Sequence, residues 1–437
     1  MITAKYLRDN ISAIRNSIEK RKSTYPIDEM LRLDEELRSI QKQVQELQTK
    51  RNKGSKEISD AKKTGKNIDE SRTKELSEVG KKIIELENKA VSGKARLEEL
   101  LWNMPNTLES SVPYGKDDAG NIEIKKVGNI TKREMPTHIE ILEKLGLVEL
   151  EQAAKVSGAR FCYLRGDLAL LEQAIIRFTI DKLIVKGYEL IEPPFMLKKE
   201  YYRGATALGD FEEALYKVAD TAESKANKDY EKIDDELFLI STSEHALAAL
   251  NSDTVFSNTD LPKKYLGISP CFRREAGSHG KDTKGIFRVH HFNKLEQFII
   301  SRQEDSEKYF DELISNSEEI WKALDIPYHV INICTGDIGT VAAKKYDIEA
   351  YMPGQGKYRE VVSCSNCTDW QSLRLDIKYD EKGERKYVHT LNSTAVATNR
   401  ALVAIIENYY SENGSIKIPE VLVPYMNGRR SIGKNKV

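Results

Sequence analysis

Residues Tyr265–Ile300, YLGISPCFRREAGSHGKDTKGIFRVHHFNKLEQFII, decide how the rest of this 437-residue chain is read. An apolar run enters Cys271-Phe272-Arg273-Arg274-Glu275, breaks at a loop holding Gly277, Gly280 and Gly285, and resumes as an alternating segment ending in aromatic and β-branched residues. That pattern predicts an antiparallel hairpin with a long polar loop. Side chains alternate faces along a strand, so Arg273 and Glu275 are expected on one face of the first strand. Arg288, Phe292 and Glu296 are expected to share a face of the second. Two arginines, two carboxylates and a ring on the facing sides of one hairpin are costly to bury without partners, and a ligand would supply them. An edge hairpin whose charges pair in water is the alternative.

The residue order is more specific than the hairpin. Phe-Arg-x-Glu, a glycine-bearing loop, then Arg-x-x-x-Phe-x-x-x-Glu resembles motif 2 of the class II aminoacyl-tRNA synthetases, in the form seen in the seryl-tRNA synthetase family. Upstream, an apolar helix over Leu168–Val185, Gly187, and a strand from Tyr188 that stops at Pro193-Pro194 resemble motif 1. Downstream, a strand over Tyr387–Leu391 leads to Asn392-Ser393-Thr394, read as capping residues, and to a helix over AVATNRALVAIIENYY. Arg400 sits early in that helix, where the dipole disfavours a cation unless an anion lies beside it. This resembles motif 3.

Composition narrows the class. Charged residues make up 31% of the chain but the net charge is only -1, so nucleic-acid binding would have to come from local patches. The five cysteines are odd in number and lack framework spacing, which points to a reducing compartment. Cys364 and Cys367 have the spacing of a zinc knuckle, but neither a second thiol pair nor nearby histidines complete four ligands, so packing positions are expected and no zinc. With no apolar run of membrane-spanning length and no apolar signal core at the N-terminus, the expectation is a soluble cytoplasmic protein without a membrane partner.

The first residues read as a short strand or turn, then a helix capped by Asp9 or Asn10. Beyond them Leu33, Leu37, Ile40, Val44, Leu47, Ile58 and Ala61 recur with the three-four rhythm of a coiled-coil seam. After a break at Thr64-Gly65-Lys66-Asn67, with Asp69 as a cap, Leu76, Val79, Ile83, Leu86, Ala90, Leu97 and Leu100 repeat it up to Met104-Pro105. The pattern predicts an antiparallel helical hairpin, each helix about 50 Å long at ~1.5 Å rise per residue. Near its tip lie Lys50, Arg51, Lys53, Lys56, Lys62, Lys63 and Lys66 against only Glu57 and Asp60, and Arg51 and Gly54 at seam positions should weaken the packing there. Such a patch is either a solvated coiled-coil surface or a clamp for an RNA backbone. Asn106–Thr137 reads as a linker with short strands, and Phe238–Ser241 as a strand entering a Thr242-x-Glu244 corner at a helix start.

The resemblance spans nearly the whole chain. It implies an α+β protein: an N-terminal antiparallel α-helical coiled-coil hairpin (residues 1–106, tRNA binding) followed by a class II synthetase catalytic domain (107–437) built on an antiparallel β-sheet flanked by helices. The implied activity is serine-tRNA ligation: serine is activated with ATP to seryl-adenylate and passed to the 3' end of serine tRNA, with selenocysteine tRNA a further acceptor. On the matching positions it implies Arg273 and Arg400 as catalytic. ATP would be held by Arg273, Glu275, Arg288, Phe292, Glu360, Ser363 and Arg400, with Mg²⁺ on Glu360. Serine would be held by Thr242, Glu244, Arg273, Glu296, Asn392 and Thr394. The motif 2 loop, Ser278–Lys284, would offer Lys281 and Lys284 to the acceptor end. The resemblance also implies a homodimer, with the hairpin gripping the long variable arm of the tRNA. Simple alternation puts Glu360 and Ser363 on opposite faces, so their strand must bulge or end between them. A carrier-protein-loading enzyme and a non-catalytic sensor or scaffold on the same fold are the other readings. No role is assigned to the polar segment Ala219–Ile233.

Overall fold

Alternating strand segments and amphipathic helices build an α+β protein. The computed structural model describes residues 4–64, 70–130, 134–207, 214–219, 236–275 and 285–433, except the side chain of Lys62. Gly65–Asp69, the motif 2 loop with Gly277, Gly280, Lys281 and Lys284, and almost all of Ala219–Ile233 lie outside these residues. The chain divides into two compact units, Met1–Thr107 and Leu108–Val437.

In the first unit two long helices, α1 (Ile27–Lys63) and α2 (Glu70–Asn103), pack along the seam, burying Ile40, Val79, Ile83, Leu86, Leu97 and Leu100. The first residues are helical (Ala4–Asp9) rather than a strand or turn. Asn10 precedes the next helix without a side-chain cap and donates instead to the Tyr6 carbonyl. Asp34, buried in the seam, accepts from Arg8 and Arg38 and fastens this N-terminal segment to α1. Gly54 does not loosen the tip. It is buried, and a Cβ there would stand 2.6 Å from Leu76 Cδ2, so the missing side chain lets the helices close together.

The second unit is organised on an eight-stranded sheet. Its strands in chain order are β1 (Ile122–Val127), β2 (Glu189–Ile191), β3 (Lys263–Phe272), β4 (His291–Ser301), β5 (Tyr328–Asn332), β6 (Lys344–Met352), β7 (Lys357–Thr368) and β8 (His389–Ala397). Their spatial order is β1-β5-β6-β7-β8-β4-β3-β2, and every neighbouring pair is antiparallel except the parallel β2–β3 edge. β1 lies within Asn106–Thr137, the segment expected to hold short strands, and this one pairs with β5 as an edge strand of the sheet. One face carries the core, where Leu266, Leu295, Ile299, Ile348, Val362, Cys364 and Leu391 meet the helices α3 (Asp167–Ile184), α5 (Ser306–Ala323) and α6 (Thr398–Tyr409) around Phe310 and Trp321. A further helix, α4 (Ser243–Leu250), packs on β3 and β4 from the other side.

β3 ends at Phe272, and only one more pair, Arg273 N–H to the His290 carbonyl, extends the ladder. Glu275 then adopts φ +48°, so it shares no strand face with Arg273. Arg288 likewise precedes β4. Asn392-Ser393-Thr394 are not caps. They lie inside β8, and α6 begins only at Thr398, where Ala397 offers no side-chain cap.

Candidate active site

Facing away from the core, the sheet lines a cavity of about 650 Å³. Thr242, Glu244, Arg273, Glu275, Phe292, Glu296, Glu360, Ser363, Asn392, Thr394 and Arg400 all contribute to its wall. Arg288 does not. It stands beside the wall with Nε 3.9 Å from a Glu275 carboxylate oxygen.

Bulges set which side chains arrive. In the β6–β7 register Ile348 pairs with Val362 but Glu349 pairs with Glu360, leaving Val361 as an extra residue. Val361 and Val362 both enter the core, so Glu360 and Ser363 return to the same, cavity-facing side. Alternation alone put them on opposite faces. A second bulge, at Ala395 in β8, keeps Thr394 opposite Glu296 while Ala397 also reaches the cavity.

One end of the cavity is a polar floor. Glu296 is almost fully buried and pairs with Lys294 at 2.6 Å, and Thr394 Oγ1 donates to its Oε2 at 3.3 Å. Glu244 Oε1 accepts from Gln371 Nε2 at 2.9 Å and from Asn392 Nδ2 at 3.1 Å. Thr242 both caps α4, accepting from the Glu244 amide at 3.2 Å, and faces the cavity. Gly267 pairs with Glu296 across β3 and β4 and brings α4 close, since a Cβ there would lie 2.6 Å from Ser243 Oγ. Burial, with Glu296 nearby, pushes Glu244 up to about 7 against the pull of Lys294, Gln371 and Arg273. Burial holds His245 down at about 3, a neutral imidazole whose buried Nδ1 has no hydrogen-bond partner among the described residues.

The other end is cationic. Arg400 Nη1 is 3.1 Å from the Glu360 carboxylate and donates to the Glu360 carbonyl at 2.9 Å, and its guanidinium lies over the Phe287 ring at 5.4 Å. The enclosing walls raise the Glu360 pKa, but Arg400, Lys345 and Arg273 outweigh them and leave it at about 2. The guanidinium of Arg273 stands over the Phe292 ring at 5.4 Å, and its Nε donates to the Ser241 carbonyl at 3.4 Å. Next to Ser363, burial lifts Asp347 to about 7.

Lys294, Gln371, Lys345, His245 and the segment Asp337–Ala342 escape the sequence reading. Only Lys294 carried a local signal, since it shares the parity of Phe292 and Glu296 on β4. Cys364 and Cys367 occupy opposite faces of β7: Cys364 is in the core, and Cys367 lines the cavity and accepts from Asn392 Nδ2 at 3.5 Å. In the first unit Arg51, Lys53, Lys56 and Lys63 are exposed, while Lys50 pairs with Glu75 at 2.6 Å. The side chain of Lys62, and Lys66 altogether, lie outside the described residues.

A raised carboxyl holds a proton in the folded state that the unfolded chain has already released. Glu244 therefore costs stability as pH climbs from its ordinary 4.5 towards about 7. Glu244→Gln removes that loss, so the substrate-free melting temperature should fall less between about pH 5 and pH 8 in the variant than in the wild type. Equal declines in thermal melts would refute this.

The first unit matches the family model described as the seryl-tRNA synthetase N-terminal domain over residues 1–108, and residues 221–409 match the tRNA synthetase class II core domain (G, H, P, S and T). The chain is 44% identical to serine–tRNA ligase of Pyrococcus horikoshii, over 97% of this chain and 96% of that protein. The crystal structure of the Pyrococcus horikoshii seryl-tRNA synthetase complexed with ATP superposes with a TM-score of 0.91 at 43% identity, covering 99% of both chains. Cytoplasmic serine–tRNA ligase of Naegleria fowleri in complex with AMP superposes with a TM-score of 0.86 at 36% identity, covering 98% of this chain and 96% of that one.

Proposed function

This chain belongs to the seryl-tRNA synthetase family and is a serine–tRNA ligase, and we propose that it carries out both steps of that reaction with the cavity residues described above. The observation that carries the assignment of residues is the pairing of a buried hydroxyl-reading floor (Thr394–Glu296–Lys294) with a cationic end (Arg273, Arg400) in one cavity.

In the first step a serine carboxylate oxygen attacks the α-phosphorus of ATP. The P–O bond to the β-phosphate breaks and pyrophosphate leaves. The nucleophile is already an anion, so no general base is needed, and the work is positioning and charge stabilisation. Arg273 bridges the α-phosphate and the serine carboxylate, and Arg400 holds the γ-phosphate end. Phe292 offers adenine a flat apolar surface, and Glu275 accepts from its amino group. In the second step a terminal ribose hydroxyl of the tRNA attacks the adenylate carbonyl, the acyl–phosphate bond breaks, and AMP leaves.

Glu360 and Ser363 present oxygen donors on one face, beside Asp347, whose buried Oδ1 has no close hydrogen bond among the described residues, and this hard-oxygen set fits Mg²⁺. When bound there with ATP, the ion neutralises phosphate charge. Thr242 and Glu296 hold the serine amino group, Glu296 and Thr394 its hydroxyl, and the Glu244–Asn392 pair closes the pocket. Alanine would leave these polar groups unpaired.

The exposed cations of the helical hairpin fit the backbone of the tRNA variable arm. Homodimer formation is supported by exposed Leu170 and Ile184 on α3, with Val185, Leu190, Phe195 and Met196 along the β2 edge. Cytoplasmic residence is supported by five free cysteines, and among the described residues no helix is long and apolar enough to cross a membrane.

The test is amino-acid-dependent exchange of pyrophosphate into ATP across serine, threonine, alanine and cysteine. Serine is expected to dominate, exceeding alanine by about 10⁴-fold. Absence of exchange with any of them in folded protein would sink the catalytic reading and favour a sensor or scaffold.

A further inference from the structure

The cationic end of the cavity holds one side chain that the two-arginine account does not use. Lys345, on β6, points to the cavity side, where it pairs in register with Ser365, two residues from the Asp347–Ser363 pair. Its ammonium approaches Asp347 Oδ2 at 3.6 Å, too long for a hydrogen bond, while Asp347 Oδ1 is buried without a close hydrogen bond among the described residues, beside Ser363. A strand-stabilising salt bridge would satisfy both oxygens. This one holds the ammonium only at 3.6 Å, on a side chain that itself lines the cavity.

The charge balance points the same way. The carboxylates of Asp347, Glu360 and Asp337 all act on the Lys345 ammonium, which lines the cavity wall with Arg273 and Arg400. Arg400, Lys345 and Arg273 all act on Glu360, so three cations of the cavity wall converge on one carboxylate. A polyanion would engage all three.

We propose that Lys345 is a further substrate-contacting residue of this enzyme, gripping the β- and γ-phosphates of ATP from the β6 side and the same groups of pyrophosphate as it leaves. This deepens the function proposed above and rests on ATP occupying this cavity. Arg273 meets the α-phosphate, so Lys345 and Arg400 share the two groups that depart. AMP, which lacks both, should be indifferent to Lys345.

The experiment compares the full-length wild type with Lys345→Met and Lys345→Arg by calorimetric binding of ATP, AMP and pyrophosphate in Mg²⁺ buffer, together with exchange kinetics. Lys345→Met is expected to weaken ATP and pyrophosphate by about tenfold, the loss of one charge-assisted contact, with AMP affinity and the KM for serine changed less than about twofold. Lys345→Arg should restore most of the loss. Lys345→Gln carries the same contrast should the methionine variant not fold. Equal weakening of ATP and AMP would make Lys345 a wall of the pocket, and unchanged ATP affinity would show that it never meets the phosphates. Either result overturns the proposal. A wild type that binds ATP but shows no serine-dependent exchange would instead refute the parent function, and the ATP–AMP contrast would still be readable.

Discussion

Replacing Arg273 by alanine should lower serine-dependent pyrophosphate exchange by about a thousandfold, the largest effect expected of any single change in this cavity. Its guanidinium lies over the Phe292 ring, its Nε donates to the Ser241 carbonyl, and its charge reaches Glu244 on the cavity floor. Charge that develops at the α-phosphorus would have no other fork-shaped donor in that place. Lysine should rescue little, because a point charge on a flexible stem cannot bridge two anions as a planar fork does. Among the described residues the Arg273 side chain meets the Ser241 carbonyl and the Phe292 ring, so the variant should melt close to the wild type, and the loss should fall on kcat more than on the KM for serine. A variant that retains more than about a tenth of wild-type exchange would remove Arg273 from the transition state.

Reversing the exposed cations of the helical hairpin should separate the two steps of the reaction. Arg51, Lys53 and Lys56 are exposed, whereas Lys50 is engaged by Glu75, so the first three are the residues to change to glutamate together. The triple variant should raise the KM for tRNA by about two orders of magnitude at low salt and reduce the salt slope of tRNA binding by about 3. Exchange of pyrophosphate should be untouched. Gly54 should be left intact, since its contact with Leu76 holds the tip closed. If charging and salt dependence match those of the wild type, the basic tip is an ordinary solvated surface.

Much of the cavity is legible in the sequence. Arg273, Glu275, Phe292 and Glu296 belong to one continuous stretch with a distinctive order, and Arg400 stands out as a cation placed against a helix dipole. Residues off that stretch were harder. Lys345 and Gln371 carry no local mark, because a lysine in a strand and a glutamine in a short helix are ordinary until a neighbour is known. Gln371 matters only because it donates to Glu244, and Lys345 only because β6 lies beside β7.

The periodicity of α1 and α2, the hairpin of β3 and β4, the order of the motifs and hence the family were all written in the sequence, because each rests on residues within a few turns or one hairpin of each other. Only the tertiary structure decided that β1 joins the sheet, that Asn392 and Thr394 are strand residues, that Glu275 leaves the strand, and that bulges at Val361 and Ala395 turn Glu360, Ser363 and Thr394 towards one cavity. A bulge is chosen by the partner strand and by the core that receives the extra residue. Here the core that receives Val361 and the strand β4 that faces Ala395 lie far away in the chain, and no local pattern records the free energy of that choice.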